Sequence, residues 1–225
     1  MINLAVSTVI FALRPDASGQ MSLWIPLVKR IRAPFEGMWA LPGGPLQSDE
    51  DLDAAPARTL LETTGLEPRY LEQLYAFGDI DRSPENRVVS IVYWALVREE
   101  ETTSAFETEN VHWFEADALP TLAFDHNLIV EYALWRLRNK MEYSRIAHGF
   151  LGETFTLAQL REVYEVVLQR PQDPGNFRRM IEGSGTVVAT GQFVEGSAHR
   201  PPQLYRYDES VELTDLGPIK EKAKR

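Results

Sequence analysis

Three side chains at ordered spacing carry the clearest chemistry in this chain. Five residues separate Gly44 from Glu50, seven separate Glu50 from Arg58, and Glu62 lies four further on. Residues four apart on a helix are neighbours on one face, so Arg58 and Glu62 sit side by side. Carboxylates grouped on such a face are oxygen ligands of the kind that hold Mg²⁺. With only Glu50 and Glu62 in register, the metal cluster is thin. Asp49, Asp51 and Asp53 crowd the loop-to-helix junction, where a solvated acidic helix start is the plainer reading. Pro56 fits the first helical turn provided that Asp53 caps the helix. A second polar set lies far along the chain, where Asn176, Arg178 and Arg179 flank Phe177. Arginine suits base edges and phosphate alike, and asparagine suits adenine.

The stretch from Trp39-Ala-Leu-Pro-Gly-Gly44 to Leu66 resembles the Nudix box: Gly, five residues, Glu, seven residues, Arg-Glu-aliphatic, one residue, Glu-Glu, one residue, Gly-aliphatic. Two of that family's glutamates are threonines here, Thr59 and Thr63. A diphosphate is densely anionic, and its hydrolysis normally takes divalent cations held by such carboxylates. The resemblance, with two glutamates missing, implies a Nudix fold whose site binds better than it cleaves. No cofactor is then required, and Glu50 and Glu62 remain as vestigial metal ligands for Mg²⁺. The segments Arg32 to Trp39 and Phe77 to Tyr93 resemble the corresponding parts of Nudix domains that process ADP-ribose. That likeness implies an effector site drawn from Arg32, Phe35, Trp39, Gly44, Arg58, Glu62, Arg82 and Arg87, the arginines on phosphate or ribose and a ring on the nucleotide. Core packing of Phe35 and Trp39, and simple solvation of the loop arginines, remain the competing readings.

The elements that must position these residues follow from composition and periodicity. At 225 residues and 44% hydrophobic content, the chain is long enough for one or two packed domains. The absence of cysteine removes disulfides and thiolate chemistry and agrees with a cytoplasmic protein. The apolar run Leu4 to Leu13 is too short to span a bilayer and lacks a basic start and a cleavage site, so it reads as a strand and no membrane partner is expected. Residues 1–124 hold 9 Lys/Arg against 19 Asp/Glu, while 125–225 hold 14 of each, so the whole net charge of −10 belongs to the first part. Nucleic acid then needs only a local basic face in the second.

Strands are predicted over 3–13, 21–29, 73–77, 87–97 and 111–115 from their β-branched and aromatic content. A helix is predicted over 125–140, capped by Asp125 and stapled by Phe124 on Ile129, with Leu128, Tyr132 and Trp135 on its buried face. His126 reads as a polar residue at that helix start.

Residues 147–211 read as a winged helix. Thr156-Leu-Ala-Gln159 is a capping box ahead of the stripe Leu157, Leu160, Tyr164, Val167 and Leu168. Asp173-Pro174 then starts a second helix, with Phe177, Met180 and Ile181 inward and Asn176, Arg178 and Arg179 outward. Strands at 187–192 and 203–207 flank a tip containing Gly196, His199 and Arg200, the expected wing. Phe155 to Leu160, Tyr164-Glu165, Asn176 to Arg179 and Arg200 to Arg206 closely resemble the winged helix of Nudix-related transcriptional regulators of NAD metabolism.

The expected architecture is therefore α+β. A Nudix fold with a mixed sheet between helices occupies 1–143, a winged helix-turn-helix occupies 147–211, and 212–225 forms a charged tail. The resemblance implies a homodimeric repressor on palindromic operator DNA that is released by an NAD-derived effector such as ADP-ribose. Thr156, Asn176, Arg178, Arg179, Arg200, Tyr205 and Arg206 are the DNA-contacting candidates. An ADP-ribose pyrophosphatase with an appended interaction domain, and a regulator sensing a sugar or sugar phosphate, are the alternatives.

Overall fold

The computed structural model describes residues 2–66, 70–102, 109–143, 146–195 and 201–208. The chain divides into two compact units, Met1–Asn139 and Lys140–Arg225.

The first unit is built on β1 (Asn3–Pro15), which is buried without a break from Val6 to Leu13. A strand covered on both faces needs such a continuous apolar run rather than alternation. β1 pairs antiparallel with β2 (Met21–Lys29) across a turn in which Asp16 Oδ1 accepts the backbone N–H groups of Ser18 and Gln20. The strands β3 (Trp39–Ala40) and β4 (Gly43–Pro45) pair with β2 and β1 respectively. After α1 (Ala54–Thr64) come β5 (Tyr70–Phe77) and β6 (Val88–Val97). β6 runs parallel to β1 in unbroken register from Asn3↔Val88 to Ala12↔Val97. A short helix α2 (Glu99–Thr102) follows, and then β7 (Val111–Glu115), which pairs with β2. The sheet order is β3-β2-β1-β6-β5, with β4 and β7 paired off that path. Leu60 and Leu66 pack with Ile10, Ala12, Ala95, Val97 and Trp113, which seats α1 on the sheet.

Two expectations about helices of this unit are corrected. Asp53 stands at the start of α1 but makes no side-chain cap. Its carboxylate accepts the Tyr93 hydroxyl instead, at 3.1 Å, while the Asp51 carbonyl takes the N–H groups of Ala54 and Ala55. The second correction concerns α3 (His126–Tyr143). Leu128 and Trp135 are 51% and 55% exposed, and the buried side is Ile129, Val130, Ala133, Leu134 and Leu137. The outer stripe carries an aromatic group in which Tyr132 lies near Tyr75, Phe77 and Trp135. Asp125 gives both carboxylate oxygens to Arg82 rather than to the helix start. Phe124 lies against Phe35 and His126.

The second unit opens with a 3-10 turn (Ile146–Phe150) and β8 (Phe155–Thr156). The capping box of α4 (Leu157–Leu168) forms as the sequence predicts, the Thr156 hydroxyl accepting from Gln159 N and the Gln159 side chain accepting from Thr156 N. α5 (Pro174–Gly183) begins with proline in its first turn and with the Asp173 carboxylate accepting from Asn176 N at 2.8 Å. Leu160, Val163, Val167, Phe177 and Ile181 form the buried centre, with Tyr164 set edge-on to Phe177. Met180 is half exposed, which corrects its expected inward placement. The strands β9 (Val187–Phe193) and β10 (Gln203–Tyr207) form a hairpin, and β8 pairs with β10 on its other side. Gly196, His199 and Arg200 of the expected wing tip lie outside the described residues, as does the 212–225 tail. No helix among the described residues is long and apolar enough to cross a membrane.

Candidate functional site

A cavity of about 410 Å³ opens in the first unit. The end of β2 and its following loop supply Lys29, Arg30, Ile31 and Arg32. β4 supplies Gly43 and Gly44, the loop before β6 supplies Ser83, Glu85 and Asn86, and the start of α3 supplies Phe124 and His126. Gly43 is required because β4 runs so close to β1: a Cβ there would stand 2.4 Å from the Val6 carbonyl oxygen and 2.9 Å from Ser7 Cα. Lys29, Arg30 and Arg32 face one carboxylate, Glu85, in the described lining, and the charge of Arg82 is balanced by Asp125. The cavity therefore suits an anion.

Each cation is held differently. Arg30 Nε donates to the Pro34 carbonyl at 2.8 Å, and the guanidinium lies 4.6 Å from the Phe124 ring centre, within cation–π range. Partial burial pushes the Arg30 guanidinium down from its usual range, and Glu85 opposes that shift. Arg82 is buried and fully engaged. Its Nε and Nη2 donate to the two Asp125 oxygens at 2.9 and 2.7 Å, and Nη1 donates to Ser90 Oγ at 2.9 Å. Phe35 and Phe124 meet edge to face at 4.9 Å, both with positive φ (63° and 56°). That conformation costs a bulky side chain energy and collects at functional sites.

At the start of α3, His126 is 6% exposed. Its Nδ1 accepts the Leu41 N–H at 2.9 Å. Burial pushes the imidazole down to about 4, with Asp125 opposing and Arg82 and Arg30 adding to the shift. His126 is therefore neutral at pH 7.

Of the effector residues expected from the sequence, Arg32, Gly44 and Arg82 line this cavity. Phe35 reaches it through Phe124. The Trp39 ring packs between His112 and Phe114, beside Lys29, which is the packing alternative. Arg87 donates to the Asp79 carbonyl at 3.0 Å. Arg58 and Glu62 stand apart on α1, where Arg58 makes a two-pronged pair with Glu50 (2.5 and 2.8 Å) and a further bond to Glu62 at 3.0 Å. Hydrogen bonds from Arg58 hold the Glu50 carboxyl below its usual range, and Glu50 in turn raises the guanidinium. Lys29 and Arg30 were not picked out from the sequence, and Phe124 and His126 were read only as parts of a helix start. Arg30 alone had a local signal, two residues from Arg32 on the same loop.

The Nudix-box metal does not fit these residues. Thr59 is buried beside Gly44, its hydroxyl bonded to the Ala55 carbonyl, and Thr63 bonds likewise to the Thr59 carbonyl. Of the remaining glutamates, Glu50 gives both oxygens to Arg58 and Glu62 gives one. Among the described residues no group of three or more His, Asp or Glu could hold a metal ion.

On the second unit, α5 presents Asn176, Arg178 and Arg179. Arg179 Nη2 donates to Asn176 Oδ1, and Arg178 Nε donates to Glu182 at 3.0 Å. The same Glu182 oxygen accepts the hydroxyl of Tyr205 at 2.9 Å. Tyr205 and Thr156 are buried, so the structure ties both into the unit: Tyr205 joins β10 to α5, and Thr156 caps α4. Arg206 is exposed on β10. The amino-terminal ends of α4 and α5 open on a groove of about 380 Å³ lined by Leu157, Arg161, Pro174, Arg178 and Gln203. Unpaired N–H groups at such ends favour anions.

A mixed-sheet Nudix domain followed by a winged helix defines a class of protein in which a ligand-binding body is joined to a DNA-binding module. Residues 4–133 match the NUDIX domain, and residues 147–207 match the NrtR DNA-binding winged helix domain. An ADPR-responsive transcriptional repressor of Acinetobacter baylyi is 35% identical over 193 residues, covering 84% of this chain and 77% of the relative. The crystal structure of Shewanella oneidensis NrtR with a 27mer DNA is 33% identical, with a TM-score of 0.78 over 91% of this chain and 93% of that one. The Nudix domain of that same protein complexed with ADP ribose is 34% identical, with a TM-score of 0.51 over 61% of this chain and 89% of its own. The chain belongs to the NrtR family of Nudix-related transcriptional regulators.

Proposed function

We propose that this chain is a cytoplasmic repressor of genes of NAD biosynthesis and salvage, binding palindromic operator DNA as a homodimer and releasing it when ADP-ribose enters the Nudix cavity. The observation that carries this reading is the joint one. A cavity lined by Lys29, Arg30 and Arg32 against Glu85 lies in a Nudix body, and the same chain carries the NrtR winged helix. Relatives over most of its length are named for ADPR response and for DNA binding. Asn176, Arg178 and Arg179 would enter the major groove, with Arg206 and the wing-tip Arg200 on phosphate or the minor groove. Arg30, Arg32 and the Phe35–Phe124 pair would hold the nucleotide. The bound ligand would favour a dimer geometry in which the two winged helices no longer match their half-sites.

The site is a sensor rather than a hydrolase, since Arg58 occupies both remaining glutamates and the two threonines offer no carboxylate. Sequencing the DNA that the purified protein retains, with and without ADP-ribose, tests the reading. One recurrent palindrome, lost when ADP-ribose is added, is expected, and retention without sequence preference would overturn it. Incubation with ADP-ribose and Mg²⁺ or Mn²⁺ should release negligible AMP. Turnover of about 1 s⁻¹ or more would place the chain among ordinary enzymes.

A further inference from the structure

His126 has one ring nitrogen committed and one left over. Because the Leu41 N–H is a donor, Nδ1 must be unprotonated, and a neutral imidazole then carries its proton on Nε2. The Leu41 amide thus sets the tautomer from 85 residues away. The ring lines the cavity and is 94% withdrawn from solvent, yet among the described residues Nε2 makes no hydrogen bond. That nitrogen is not among the fully buried polar atoms left without a partner, so on a residue that lines the cavity it stays accessible to an acceptor. The charged groups around it are Arg82, Arg30 and Asp125. Asp125 is already neutralised by the two-pronged bond from Arg82, so the cavity side is left with Arg30, Lys29 and Arg32 against Glu85. An acceptor placed there is best an anionic oxygen.

We propose that His126 is a recognition residue of the cavity, its Nε2–H donating to a phosphate oxygen of the bound ligand while Leu41 holds the ring in the donating tautomer. The assignment rests on the reading of the cavity as an ADP-ribose site and names the contact that reading lacks. It also separates two roles within one side chain, because Nδ1 serves the fold and Nε2 serves the ligand. Asparagine at this position keeps an acceptor close to the place of Nδ1 and loses the donor, whereas glutamine reaches toward the place of Nε2 and loses the acceptor.

The test is calorimetric titration of ADP-ribose into the full chain as wild type, His126→Asn, His126→Gln and Arg30→Ala, with thermal unfolding of each. A donor lost to a charged acceptor should weaken ADP-ribose about ten- to a hundred-fold in His126→Asn, with its unfolding midpoint close to wild type. His126→Gln should unfold earlier and lose less affinity. With four histidines in the chain, nitrogen-detected NMR of the wild type adds a readout that needs no variant: His126 should be the Nε2–H tautomer, and its Nε2 resonance should move on saturation with ADP-ribose. Wild-type affinity in His126→Asn alongside weakened Arg30→Ala, or an unmoved Nε2 resonance, overturns the role of His126 and leaves the cavity reading standing. Failure of the wild type to bind ADP-ribose overturns both.

Discussion

Removing Arg82 should unfold the Nudix domain more readily rather than merely weaken its ligand. Sequence reasoning made Arg82 a candidate contact to phosphate or ribose, but its side chain is only 4% exposed and meets Asp125, at 17%, through two charge-assisted bonds, with Ser90 taking a third. Breaking a buried pair from one side leaves the other charge uncompensated, at a cost of about 3–5 kcal/mol. Arg82→Leu should therefore lose about 4 kcal/mol, and Asp125→Asn a comparable amount. The double variant should lose much less than the sum, because no charge is then stranded. All five tryptophans lie between Trp24 and Trp135, so tryptophan fluorescence in urea reports the first unit alone. With a slope of roughly 2 kcal/mol per molar urea, the midpoint of Arg82→Leu should fall by about 2 M. A midpoint within ~0.3 M of wild type, with ADP-ribose affinity lost all the same, would refute the structural role and return Arg82 to the ligand.

Acid should act on the same region through His126. Its folded-state value, about 4, lies below the ordinary 6.5, so the unfolded chain binds the proton preferentially. The stabilisation is complete above pH 6.5 and is lost as pH falls toward 4, on the order of 3 kcal/mol in total. Urea midpoints measured between pH 7 and 4 should fall less steeply for His126→Asn than for wild type, and parallel curves would show that the ring does not titrate there. On α5, Arg179→Ala should cost about 1–3 kcal/mol in operator binding and relax one position of each half-site if the side chain reads a guanine. If it touches only phosphate, affinity should fall evenly across sequences and the salt slope should shallow by about 2 in a symmetric dimer. Titrations at several salt concentrations on specific and scrambled duplexes separate the two, and an unchanged slope and affinity would remove α5 from the DNA.

The elements that sequence reasoning located were those with a strong local signal. β1 and β2 announce themselves by apolar runs, and α4 and α5 by a capping box and an Asp-Pro start, all of them short-range chemistry. α3 misled because it has two apolar stripes side by side. Leu128, Tyr132 and Trp135 follow helical spacing as well as Ile129, Ala133 and Leu137 do, and only the packed sheet decides between them. The box glutamates and Arg58 were legible by spacing, but their pairing to one another was not, because a salt bridge competes with a metal for the same oxygens. The cavity was half legible. Arg32, Gly44 and Arg82 came from segments resembling known sites, while His126 is tied to Leu41 across 85 residues, a contact with no local periodicity to reveal it. Phe124 read as a hydrophobic staple because its position before a helix suits one, and its turn toward Phe35 depends on a positive φ that its residue type does not signal.

Reciprocal coupling between the two ligands is the decisive property of a sensor of this kind. If ADP-ribose and operator favour different geometries, each must weaken the other by the same factor. Calorimetry of ADP-ribose into the free protein and into its operator complex, matched to operator titrations with and without ADP-ribose, measures both sides of that equality. A coupling of about 1–3 kcal/mol, equal in the two directions and of opposing sign to binding, is the expected result. ADP-ribose affinity that is the same in the free protein and in the operator complex would contradict the proposed switch.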